Sequence, residues 1–224
     1  MSNLLTIVTP DGGLTTLGYV LFLLTAVVLL LLGTALYRKR SQSGKLTTKQ
    51  LVFSAAAMAL AYVTSYINLF PKFPFGGSVT LFSMLFVCLI GYWYGPSVGI
   101  MTGLAYGILQ FLQEPYILSP FQVCCDYILA FAGLGLAGFF HKSKNGLLKG
   151  YLLGIFARGA FHTLGGYLYW MDYMPDTFPK ALAPLYPVIY NYSYILAEGI
   201  LTIMVLMIPA AQKALKQIRE IAVE

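Results

Sequence analysis

Between Tyr116 and Tyr127 the chain reads YILSPFQVCCDY, which sets Asp126 inside a segment otherwise apolar enough to span a membrane. A carboxylate at that depth costs roughly 2.5–3.5 kcal/mol on insertion scales, so by default it marks contact with a ligand, an ion or another helix. The competing reading is a buried acid satisfied by a neighbouring tyrosine. His162, in RGAFHTLGGYLYW, is the second polar group at membrane depth. It is either a ligand contact or an interhelical hydrogen-bonding residue, a role that contributes only ~0.6 kcal/mol on average. Arg158, four residues earlier, reads as structural, its long stem snorkelling to the cytoplasmic side. Tyr186 and Asn191 open the last apolar segment, and a buried amide such as Asn191 needs partners. Glu198 lies two turns below on the same helical face, where it either lines the pocket or, as the preferred reading, pairs with Arg158. Trp170, Tyr167 and Tyr169 form an aromatic set that reads equally as an interfacial girdle or as a cage for a cationic or planar ring.

These side chains need helices to position them. Hydrophobic residues make up 58% of the 224 and charged residues 10%, against roughly 25% charged in a soluble domain. The mean hydropathy is +0.75. The apolar runs are continuous and about 20 residues long, which specifies an all-α integral membrane protein and excludes a barrel of ~10-residue alternating strands. Seven spans are expected, at about 16–37, 50–69, 79–93, 97–113, 119–140, 148–171 and 185–208. They are separated by the RKRSQSGKLTTK linker, the FPKFPFGG loop, Gly95-Pro96, Gln113-Glu114-Pro115, HKSKNGLLK and MDYMPDTFPK; a short amphipathic tail, QKALKQIRE, follows. The organisation expected is an N-terminal helix and basic linker over 1–48, a membrane domain over 49–212 and a cytoplasmic tail over 213–224. The first run, followed by Arg38-Lys39-Arg40 and preceded by no charged region, reads as a retained helix rather than a signal peptide.

The net charge of +6 comes from short basic clusters beside the apolar runs. That is a topology signal, not a nucleic-acid footprint, and it places the N-terminus outside and the C-terminus in the cytoplasm. Cys88, Cys124 and Cys125 lie in apolar stretches without metal-binding spacing and read as packing residues. No phosphate loop, HExxH or GxSxG is present, so no enzymatic activity, metal or cofactor is expected, and any ATPase must be another chain. Two further readings stay open: a stand-alone proton-coupled carrier using Asp126, His162 and Glu198, and a scaffold whose polar residues only pack helices. The absence of a visible internal repeat weighs against the first.

In the second span, SAAAMALAY carries Ala55 with Ala59 and Ala57 with Ala61, read as small-xxx-small spacing on one face for close helix approach or partner docking.

YILSPFQVCCDYILAFAGLGLAG, FHTLGGYLYW and YPVIYN, with their spacing, resemble the thiamine-specific substrate-binding (S) components of energy-coupling factor vitamin transporters. The resemblance covers about 50–210. It implies a six-helix S-component bundle, here with one extra N-terminal helix. Such a bundle captures a vitamin from outside beneath the loop after its first helix, then docks on a transmembrane coupling subunit carrying two ATPases. It assigns ligand contact to Tyr116, Asp126, Tyr127, His162, Trp170, Tyr186 and Asn191, and docking to Ala55, Ala57, Ala59 and Ala61. Two departures stand out: Asp126 replaces the family's glutamate, and the loop FPKFPFGGSVT lacks the tryptophan some thiamine binders place there. Both keep a pyrimidine precursor or another heteroaromatic cation open as ligand.

Overall fold

The computed structural model describes residues 46–73 and 76–224, with 15–18, 20, 21 and 24. The expected first span and most of the basic linker after it lie outside the described residues. Within them the protein is all-helical, with a single isolated bridge, Asn68 to Thr80, and no strand.

Helix α1, Thr48–Ser65, starts at a capping box. Thr47 Oγ1 accepts from the Gln50 amide at 3.2 Å, and Gln50 Oε1 accepts from the Thr47 amide at 3.0 Å. Helices α2, Ser83–Tyr94, and α3, Pro96–Gln113, meet at the expected Gly95-Pro96 break. Gly95 takes φ 90°, open to glycine, and Pro96 supplies the first residue of α3. Helix α4, Pro120–Phe140, starts with Ser119 capping the Gln122 amide at 3.0 Å, passes through a π turn over Cys124–Leu129 and tightens to 3-10 over Gly135–Phe140. Helix α5 is Gly146–Tyr169 and α6 is Tyr186–Leu206. The amphipathic helix α7, Pro209–Val223, begins four residues before the expected tail.

Helices α3 and α4 approach at glycines spaced i, i+4, i+8. A Cβ on Gly103 would fall 2.3 Å from the Phe131 carbonyl oxygen, and one on Gly107 only 2.1 Å from that of Tyr127. Small residues let backbones meet this closely where packing, not hydrophobicity, drives association. The Gly107 contact places the middle of the π turn, at Tyr127, against α3. The interior is apolar, with Val87, Ile90, Leu134 and Ile155 fully buried. The outer surface is apolar too: Leu60, Val63, Phe156, Ile200 and Met204 are at least half exposed within their helices. Such a belt suits lipid contact rather than water. Helices α4 and Lys180–Leu206 are long and apolar enough to cross a membrane by length and composition.

Ala55, Ala57, Ala59 and Ala61 do not share a face, contrary to expectation. Ala57 and Ala61 are buried in the core, while Ala55 and Ala59 are exposed. Two positions on a helix differ by about 200°, so the two pairs point to opposite sides.

Candidate functional site

A cavity of about 670 Å³ opens at one end of the bundle, among the C-terminal ends of α1, α3 and α5 and the N-terminal ends of α4 and α6. All seven residues expected to contact ligand line it: Tyr116, Asp126, Tyr127, His162, Trp170, Tyr186 and Asn191.

Asp126 sits in the π turn of α4. One extra residue per turn there re-aims the side chain, which is why such turns recur at functional sites. Its Oδ1 lies 3.2 Å from His162 Nδ1, and its Oδ2 accepts from Gln122 Nε2 at 2.8 Å. Both side chains of the Asp126–His162 pair are shielded, at 15% and 12% exposure. Gly165 is what lets α5 lie against the acid, since a Cβ there would stand 2.9 Å from Oδ1. Arg158 Nε donates to His162 Nε2 at 3.3 Å. That leaves Nδ1 to carry the imidazole proton and to donate it to Asp126. Guanidinium, imidazole and carboxylate therefore form one directed chain along the cavity wall.

The expected Arg158–Glu198 ion pair is not what forms. Arg158 lies over the Phe131 ring, 4.5 Å from its centroid. Glu198 instead takes hydrogen bonds from Thr80 and Met84. The helix spacing was right, but donors arriving from 118 and 114 residues away were closer than the arginine.

The aromatic residues divide sharply. Trp170 is in the cavity, its ring 5.1 Å from Tyr116 and 5.2 Å from Tyr173. Tyr167 faces outward and donates to the Pro184 carbonyl at 2.6 Å, so the girdle reading fits it and the cage reading fits Trp170. Tyr186 packs against Phe178 and Tyr190. Tyr127 donates to the Glu114 carbonyl at 2.7 Å, which turns its ring edge onto Phe111. Asn191 is tied on both ends: Nδ2 donates to the carbonyls of Pro187 at 2.8 Å and His162 at 3.2 Å, and Oδ1 accepts from Tyr194 at 2.9 Å. The amide thus bolts α6 to the histidine's own backbone.

Several lining residues escaped the sequence reading. Gln122 is 1% exposed and is the acid's second partner; its position four residues before Asp126 was the available signal. Gln110 and Gln113 share Ser65 in a polar network on the α1–α3 wall. Lys72 and Glu114 pair at the mouth. Replacing Trp170 with alanine is expected to weaken ligand binding about 2- to 30-fold, given ~0.5–2 kcal/mol for one cation–π contact. Titration calorimetry of the folded variant checks it.

A water-shielded acid–imidazole pair inside an aromatic cavity, in a bundle with an apolar exterior, defines a small-molecule-handling membrane protein. Comparisons with known proteins make the class specific. Residues 51–218 match the family described as Thiamine transporter protein (Thia_YuaJ), and the chain belongs to that family. Thiamine transporter ThiT from Bacillus subtilis (strain 168) is 29% identical over 169 residues, covering 69% of this chain and 84% of that protein. The solved structure of ThiT from Listeria monocytogenes is 27% identical with a TM-score of 0.56, over 70% of this chain and 92% of that one. The expected resemblance and the helical S-component fold are both borne out.

Proposed function

We propose that this chain captures thiamine, or a close relative such as its pyrimidine precursor, from outside the cell and presents it for ATP-driven uptake by a coupling subunit and two ATPases. The observation that carries the reading is the shielded Asp126, held between His162 and Gln122 in a cavity of about 670 Å³ with Trp170, Tyr116 and Tyr186 around it. The volume is within the roughly 300–1,000 Å³ usual for small-ligand sites. In this reading Asp126 accepts from an aminopyrimidine or offsets the thiazolium charge, while Tyr116, Trp170 and Tyr186 stack on the rings. An analogue with neither a positive charge nor an amino donor adds nothing to the His162 and Gln122 hydrogen bonds on the carboxylate, so the site selects for those groups. Tyr127 and Asn191 hold their neighbours in register around the ligand.

Orientation follows from charge. The cavity mouth is at the end of the bundle opposite Lys49, Lys142, Lys144, Lys213, Lys216 and Arg219. Positive residues favour the cytoplasmic side, so the mouth faces out and the C-terminus in. The N-terminal helix over 1–48, with its outside N-terminus, the binding domain over 49–212 and the cytoplasmic tail over 213–224 complete the proposed organisation.

Docking on the coupling subunit falls to Ala55 and Ala59. Ala57 and Ala61 support that face from inside the core. Ala59→Leu is therefore expected to lower uptake several-fold while leaving ligand affinity within about twofold, because only the outward face changes. Uptake of labelled thiamine in cells with and without the ATPase subunits tests the reading. Accumulation that needs the ATPases supports it. Uptake by this chain alone that an uncoupler abolishes would assign the proton-coupled carrier instead.

A further inference from the structure

Glu198 is 2% exposed. It reaches across to the segment that joins α1 to α2. Oε2 accepts from the Thr80 amide at 3.2 Å and the Thr80 hydroxyl at 2.6 Å, and Oε1 accepts from the Met84 amide at 3.1 Å and the Ser83 hydroxyl at 3.3 Å. Helix α2 has no cap of its own: its N-cap residue, Phe82, is in the left-handed region at φ 61° and offers no side-chain acceptor. Glu198 supplies that cap from another helix, with its negative charge at the positive end of α2.

The contact continues up α6 at four-residue spacing. Gly77 lies flat on the Tyr194 ring, where a Cβ would stand 2.5 Å from Cδ1, and Phe73 packs on Tyr190 and Tyr194 with centroids 5.8 and 5.9 Å away. Tyr190, Tyr194 and Glu198 thus form one stripe that seats Phe73, Gly77 and Thr80. The connection also bonds to itself, Leu69 N to Val79 O at 2.9 Å and Phe73 N to Gly77 O at 2.7 Å, so fixing its root fixes more than one residue. Gly77 and Thr80 form part of the cavity wall, and the same helix α6 presents Tyr186 and Asn191 to that cavity.

We infer that Glu198 is a positioning residue for ligand retention: it locks the α1–α2 connection to the helix that carries Tyr186 and Asn191, so that the cavity wall formed by Gly77 and Thr80 and the wall formed by α6 move as one. This rests on the proposed binding of a thiamine-like ligand in the cavity. Converting the acid to an amide keeps its volume but turns one acceptor into a donor facing donors, which breaks the lock at its root.

The test uses Glu198→Gln in the full chain, with stopped-flow thiamine association and dissociation read by tryptophan fluorescence, and amide exchange over 78–86. Thiamine is expected to dissociate at least tenfold faster with association within threefold, and exchange at Thr80 and Met84 to accelerate. Thr80→Val with Ser83→Ala attacks the same lock from the other side and carries the test if Glu198→Gln does not fold; it should reproduce the faster dissociation, and combining the two should add little. A variant that folds, with dissociation within twofold of the parent, overturns the assignment. If the unaltered chain binds no thiamine, the proposed function fails separately. Amide exchange then decides the positioning role, unchanged protection in the variant overturning it.

Discussion

Asp126→Asn is expected to weaken thiamine binding by at least about 30-fold while leaving the protein folded. The carboxylate has two protein donors, the His162 imidazole at 3.2 Å and the Gln122 amide at 2.8 Å. Asparagine has one acceptor oxygen for both. Whichever way the amide turns, its NH₂ meets a donor: Gln122 cannot turn its oxygen to it without releasing the Leu118 amide at 3.0 Å, and the imidazole cannot exchange its proton because Arg158 Nε already occupies Nε2. The ligand's positive charge also loses its counter-charge in a shielded site. Removing one partner of a buried, hydrogen-bonded charge pair costs roughly 2–5 kcal/mol, and every 1.4 kcal/mol is tenfold in affinity. Calorimetric titration of both proteins reads the change. Asp126→Glu distinguishes charge from reach: it keeps the charge and restores the family's glutamate, so it should hold affinity within about tenfold.

The second large effect is structural. Gly107→Ala is expected to destabilise the bundle by about 1–3 kcal/mol, the usual range for overpacking a well-packed interior. For a chain of this length that corresponds to a fall in Tm of about 2–12 °C. The new methyl would lie 2.1 Å from the Tyr127 carbonyl oxygen. A backbone atom cannot rotate away, so α3 and α4 must separate, and Asp126 and Tyr127 move with α4. Ligand affinity should therefore fall about tenfold in the protein that does fold. Gly133→Ala is the matched comparison, its nearest contact being the Ala157 methyl at 3.2 Å. It should cost much less, because neither helix must shift by more than a few tenths of an ångström. Thermal denaturation in detergent compares the pair.

Local signals carried the helices well. Gly95-Pro96 and Gln113-Glu114-Pro115 end helices where the backbone leaves no alternative, and both breaks are present. Asp126 and His162 stood out because ionisable side chains are expensive at membrane depth, whereas Trp170 was visible only as one of an aromatic set at the end of a span. What stayed hidden depended on tertiary geometry. Ala55 and Ala57 look alike in sequence, yet two residues turn the helix to its opposite face. The π turn that aims Asp126 is not marked by composition, since CCDYIL suits an ordinary helix equally well. Glu198 was given the wrong partner because Thr80 is 118 residues away, and neither Thr80 nor Ser83 is unusual where it stands. Gln122 was the avoidable omission: a glutamine one turn before a buried acid is a donor already in place.

Titration calorimetry of the purified, unaltered chain against thiamine, its phosphates, hydroxymethylpyrimidine and other B vitamins tests the central claim most directly. The account predicts one saturable site, tightest for thiamine or its pyrimidine precursor, with vitamins that carry neither a cationic ring nor an aminopyrimidine bound at least about 100-fold more weakly. No saturable heat with any of these compounds, or equal affinity for those with and without such a ring, would contradict it.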